Sequence, residues 1–236
     1  MIQNLARIIV AAGLFTAVIV PSARAQESAA PGPETAPAPQ AVTVPVRMLG
    51  DPAAPVQIDE YASFVCEPCA QWHTTVLPGL IRDYVDAGHV KIVFHDVITH
   101  PAEHSARAAA IGLCAAPDRF FAVADSFMNG QGAVMNAPAA PWYAAAIAAS
   151  GRTEEEMEEC SVSETTYNQL ALQQERAGAL GLENFPVIRV NGQFVADPTD
   201  GAVRFAILSA PPAPELALPP IGDTAAEPAP QPASAD

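Results

Sequence analysis

Two cysteines separated by two residues, Cys66-Glu67-Pro68-Cys69, are the part of this sequence best suited to chemistry. A CxxC pair is commonly either a redox dithiol or half of a zinc site. Zinc would want a second CxxC or a Cys/His pair at ligand spacing. Cys114 and Cys160 stand far apart and are not arranged that way. Placement favours redox chemistry, because Cys66 falls where a strand pattern ends and a helical one begins. Unpaired backbone N–H groups and the helix dipole stabilise a thiolate there. A thiolate is the attacking species in disulfide exchange. Cys66 is therefore assigned as the nucleophile, and Cys69, one turn further in and less exposed, as the resolving thiol.

The histidines carry less. His73 lies four residues after Cys69, on the same helical face, so a soft-metal site with the dithiol, for copper, is one reading. The favoured reading is a partly exposed helix residue near the groove. His100 and His104 share the same spacing but have no identified third ligand, and no metal is assigned.

The elements that must position the dithiol can be read from the pattern. Val56–Tyr61 is a strand with imperfect alternation, leading into Cys66. Cys69 to Ala87 is helix-like, with Trp72, Val76, Leu80 and Tyr84 near helical spacing and Gly88 as its stop. Pro78 should bend or split that helix. Val90–His95 is a second strand, which completes a βαβ unit. From Glu103 to about Gly181 the chain is helical, with Pro141 in a first turn, Gly151 as a C-terminal cap and a capping box starting at Thr153. Phe120-Phe121, Phe127 and Trp142-Tyr143 are assigned to the core of this block, and the Glu154–Glu159 run to a solvated helix face. Pro186–Val195 reads as a hairpin around Asn191-Gly192, and Ala202–Leu208 as a closing helix. The order βαβ, helical block, ββα is an α/β thioredoxin-like fold with an inserted all-helical subdomain at about 103–181.

The ends are of another character. Residues 1–25 combine Arg7, the apolar run Ile8–Val20 and Ala23-Arg24-Ala25, the pattern of a cleaved secretory signal peptide. The run is shorter than the roughly 20 residues that span a bilayer, so no stable membrane anchor is expected after cleavage. Residues 26–45 and 211–236 are rich in Pro and Ala and are expected to be disordered linker and tail. That leaves one domain over 46–210. A formal net charge of −15 argues against nucleic acid as a partner. Four cysteines in an exported chain suggest disulfide chemistry, although four allow three pairings.

The run Leu49–Val56, then Glu60-Tyr61-Ala62-Ser63-Phe64-Val65 into Cys66–Cys69, resembles the DsbA-like family of thioredoxin-fold proteins. Leu77-Pro78, Gly88-His89-Val90, His100-Pro101, Phe185-Pro186 and Val190-Asn191-Gly192 continue the likeness over about residues 49–210. The resemblance implies that Glu60 is a buried acid beneath the dithiol, able to move protons to and from Cys69. The alternative is an ordinary solvent-facing strand acid, which is how Asp59 is read. It also implies that Phe185-Pro186 is a cis bond beside the dithiol that leaves a backbone edge free for an extended substrate. Without the resemblance, Pro186 would be a plain strand-entry proline. Since such a pair can occur in this family, Cys114 and Cys160 are expected to form a structural disulfide, with two buried thiols as the alternative.

The implied function is an exported, periplasmic thiol:disulfide oxidoreductase acting on protein or peptide dithiols and disulfides. Donation is preferred over reduction or isomerisation, and an unidentified redox partner resets the couple. No organic cofactor is required, since the sulfurs carry the electrons. A copper-binding module built on Cys66, Cys69 and His73, and a binding module without turnover, are the competing classes. Glu67 and Pro68 depart from the strongest oxidases of the family, which place His beside the resolving cysteine. A carboxylate next to Cys66 disfavours its thiolate, so a less oxidising couple is expected.

Overall fold

A computed structural model describes residues 42–134 and 138–211. The expected leader at 1–25, most of the expected linker and nearly all of the expected tail lie outside these residues.

Five strands form one mixed sheet in the order β1-β3-β2-β4-β5. β2 (Val56–Ala62) and β3 (Val90–Asp96) run parallel, with Glu60 opposite Phe94 and Ala62 opposite Asp96. β4 (Val187–Val190) lies antiparallel to β2, and β5 (Gln193–Val195) returns antiparallel to β4. The hairpin turns at Asn191 (φ 44°) and Gly192 (φ 81°), two left-handed residues that match the twist of the flanking strands. The buried Asn191 side chain also ties this turn to the start of β2, accepting from Gln57 N at 2.7 Å. β1 (Arg47–Leu49) pairs antiparallel with β3 and was not anticipated. Three residues are too few for a period to be read from sequence. Gly50 follows it at φ 100°, where a Cβ would sit 2.8 Å from Val90 O.

The helix after the dithiol is broken as Pro78 requires. α1 (Glu67–Thr75) ends at Val76, α2 (Leu77–Leu80) carries Pro78 in its first turn, and a π-helical turn (Ile81–Val85) completes the segment. Trp72, Leu77, Leu80 and Val85 from this segment pack with Ile58, Val90, Ile92, Ile188 and Val190 of the sheet. Val203 and Ile207 of α8 (Asp200–Ser209) join the same cluster. α8 is capped by Thr199 and starts at Asp200, two residues before the sequence pattern suggests.

Between β3 and β4 the chain is helical: α3 (Ala102–Cys114), α4 (Phe120–Val134), α5 (Ala140–Ala149), α6 (Glu154–Ser161) and α7 (Glu164–Ala179). Phe120, Phe127, Trp142 and Tyr143 form its core, which is continuous with Phe64, Cys69 and Phe94. Thr153 and Glu156 close a reciprocal capping box at the start of α6, whose acids face solvent while Met157 points inward. On the other side, Ala177 of α7 packs against Tyr61 and Val97. The dithiol therefore sits at the carboxyl end of β2, where core and inserted helices meet.

Candidate active site

Cys66 is the N-cap of α1, with Glu67 and Pro68 filling the first turn. Proline is at home there because its missing N–H would have no helical partner. Cys66 Sγ accepts from Cys69 N at 3.3 Å, so it lies on the positive end of the helix dipole. It is half-buried, whereas Cys69 is fully buried. The two are joined as a disulfide with Cα atoms 5.2 Å apart.

The loop before β4 closes the other side. The Phe185–Pro186 bond is cis, and the Phe185 carbonyl oxygen lies 3.5 Å from Cys66 Sγ. Both residues are half-buried. A surface groove of about 470 Å³ opens beside Glu67, between Gln71 and Thr74 of α1 and Met128 and Asn129 of α4.

Beneath the helix, Glu60 is completely buried, and neither carboxylate oxygen has a hydrogen-bond partner. His73 Nδ1 lies 3.9 Å from Glu60 Oε1, and His73 Nε2 lies 2.8 Å from Asp125 Oδ1. His73 is 2% exposed, which corrects the expectation of a partly exposed residue. Its ring nitrogens face two carboxylates, so the Cys66, Cys69, His73 metal set is not assembled. Among the described residues, no group of three His, Cys, Asp or Glu side chains is arranged to hold a metal ion. His104 Nδ1 meets the Tyr143 hydroxyl at 2.7 Å, while His100 is exposed. Asp59 is also corrected. It is buried on the opposite face of β2, paired with His95 Nε2 at 3.0 Å and accepting from Gln57 Nε2. Alternation along β2 puts Asp59 and Glu60 on different faces, and both faces are covered.

Sequence reasoning missed Asp125, Asp96 and Arg47. Asp125 is a lone acid in a largely apolar helix, and Asp96 ends an apolar strand; each is a weak signal that something must satisfy it. Asp96 is 2% exposed, and its carboxylate has no hydrogen-bond partner. Arg47, also buried, donates to the Leu113 carbonyl.

Burial lifts the Asp96 carboxyl to about 7, opposed by Arg47 and Gln173 and reinforced by the Glu60 charge. For His73, burial alone would lower the value, but Asp125 and Glu60 outweigh it and raise it to about 9. Both folded values exceed the ordinary ones of 3.8 and 6.5. Between about pH 4 and 7 the native protein holds a proton on Asp96 that the unfolded chain has lost, so stability falls as pH rises. The His73 contribution is complete below about pH 6.5 and is lost as pH rises through 9. Denaturant unfolding should therefore show stability declining from acid to alkaline pH on account of these groups. Asp96→Asn should flatten the decline between about pH 4 and 7, a span worth at most about 4 kcal/mol. The slope is the readout, since above about pH 7 the variant also deprives Arg47 of a counter-charge. An unchanged slope would show that Asp96 titrates normally.

Cys114 and Cys160 are bonded, with Cα atoms 5.9 Å apart, linking the end of α3 to α6. Both sulfurs lie near the Thr166 hydroxyl, at 3.6 and 3.8 Å.

A CxxC pair opening the first helix of a βαβ unit, beside a proline loop entering a ββα unit, defines a thioredoxin-fold protein with a helical insertion. A family model described as Thioredoxin matches residues 43–207, and the chain belongs to that family. A probable disulfide bond formation protein D of Bacillus cereus is 44% identical over 46 residues, 20% of this chain and 21% of the relative. The match thus spans about a fifth of that curated relative's length. Oxidised BdbD from Bacillus subtilis superposes with a TM-score of 0.61 at 20% identity, over 69% of this chain and 91% of that one. The alpha-DsbA1 of Wolbachia pipientis gives 0.55 at 21% identity, over 65% and 77%. At these identities the two structures establish a shared fold.

Proposed function

We propose that this protein is a thiol:disulfide oxidoreductase that donates its Cys66–Cys69 disulfide to protein dithiols outside the cytoplasm. The observation that carries the reading is the contrast within the pair: a half-buried sulfur capping a helix, bonded to a wholly buried one. A substrate thiolate attacks Cys66 Sγ, the Cys66–Cys69 bond breaks, and Cys69 leaves as a thiolate. Glu60 supplies the proton that Cys69 takes up. A second substrate thiolate then attacks the substrate sulfur of the mixed disulfide and expels the Cys66 thiolate. The substrate gains a disulfide, the protein gains two electrons, and a partner protein must remove them.

The Phe185 carbonyl beside Cys66 supports a protein substrate, because it offers an acceptor to an extended chain lying across the dithiol. The leader pattern at 1–25 supports export, as does the second disulfide, since such bonds persist in oxidising compartments.

Glu67 favours a second reading of direction. Its carboxylate beside Cys66 disfavours the reduced thiolate and so weakens the protein as an oxidant. The test is to incubate the oxidised protein with a reduced peptide dithiol and to measure its potential against glutathione. Donation requires one peptide disulfide per protein reduced. The potential is expected to be clearly more negative than the roughly −120 mV of the strongest oxidants. A value at that extreme would refute the role given to Glu67. A value near the roughly −270 mV of a reductant would overturn donation.

A further inference from the structure

We propose that His73, held by Asp125 of the helical insertion, is the counter-cation of Glu60 and sets the pH range over which Glu60 exchanges a proton with Cys69. This rests on the reading of Glu60 as the proton carrier for Cys69.

Glu60 is fully buried with both oxygens unbonded, a costly position for an isolated carboxylate. His73 Nδ1, 3.9 Å away, is too distant for a hydrogen bond but close enough for charge to act. The 2.8 Å contact to Asp125 fixes the ring, since Nε2–H donates to Oδ1 and Nδ1 is turned towards Glu60. Asp125 is itself 64% exposed. The row therefore runs from a solvated carboxylate, through a buried imidazolium, to the buried carboxyl group of Glu60. His73 stands one helical turn beyond Cys69 on α1, so the row lies against the helix that carries the dithiol.

The charged groups facing this row are few. Glu60 projects from β2 and Asp125 from α4. Asp96 of β3 lies on the same sheet face as Glu60, with Arg47 of β1 as its counter-charge. Asp96 acts against ionised Glu60, and His73 acts for it. When Cys69 leaves as a thiolate, the Glu60 proton moves to sulfur and the new carboxylate is paired with His73. In reverse, the Cys69 proton returns to Glu60. Below about pH 9, His73 keeps its own proton through both directions of the exchange. Because Asp125 belongs to the insertion, the inserted helices take part in the chemistry of the core.

The test follows the midpoint potential of the Cys66–Cys69 couple from pH 5 to 10, in which ionisations appear as changes of slope. Glu60→Gln identifies the Glu60 inflection by removing it. His73→Gln should raise that inflection by about one pH unit or more, the effect of losing an opposite charge at this range. His73→Lys should restore most of the shift. Asp125→Asn, at the exposed end of the row, should raise the inflection by less, and it serves should a core variant fail to fold. A merely structural His73 would lower the unfolding midpoint and leave the inflection in place, which would overturn the inference alone. A wild-type profile from Glu60→Gln would overturn both the inference and the proton role of Glu60.

Discussion

Cys66→Ala should reduce disulfide exchange to the uncatalysed level, while Cys69→Ala should stop it halfway and accumulate mixed disulfides. The asymmetry follows from exposure. Of the pair, Cys66 is only half-buried, and the cap contact from Cys69 N lowers the energy of its sulfur when it is ionised. Cys69 is fully buried, so no protein-sized guest can reach it. Without Cys69, the reduced Cys66 still attacks a substrate disulfide, but nothing inside the protein can release the adduct. Cells carrying Cys69→Ala should yield covalent complexes that disappear on reduction, and Cys66→Ala should yield none. Equal complexes from both variants would remove the assignment of roles. Biological activity that survives Cys66→Ala would favour a binding module without turnover.

What was legible in the sequence is what local rules govern. The dithiol at a strand-to-helix junction, the break at Pro78, the Asn191-Gly192 turn and the Thr153 box each depend on residues within one or two turns of each other. The fold order followed from these pieces. Contacts across the chain left little trace. His73 and Asp125 are 52 residues apart, and Asp59 and His95 are 36 apart. Nothing near His73 announces that α4 brings a carboxylate to it, so the sequence favours a partly exposed helix residue, with a metal ligand as the alternative. A strand acid such as Asp59 usually faces solvent; here α7 and its neighbours cover the second face of the sheet as well. Buried charge is decided by what packs over a residue, and that is a property of the tertiary fold.

Replacing both Cys114 and Cys160 by Ala should lower stability by about 4 kcal/mol, the largest effect expected outside the dithiol. The bridge spans 46 residues, and closing a loop of that length removes about this much conformational freedom from the unfolded chain. The reason lies in the insertion itself. The bridge joins α6 to the end of α3, and α6 places only Met157 deep in the core. Reducing agents in the assay would open both disulfides, so the double variant isolates this one and leaves Cys66 and Cys69 intact. Urea unfolding should show a midpoint shift with little change in slope, and the melting temperature should fall by roughly 8–16 °C. Exchange activity below the transition should persist, because neither Cys114 nor Cys160 contributes to the helix start that holds Cys66. A midpoint within about 1 kcal/mol of the parent would mean that the unfolded chain gains little freedom from the cut. The insertion would then be held by its aromatic core alone.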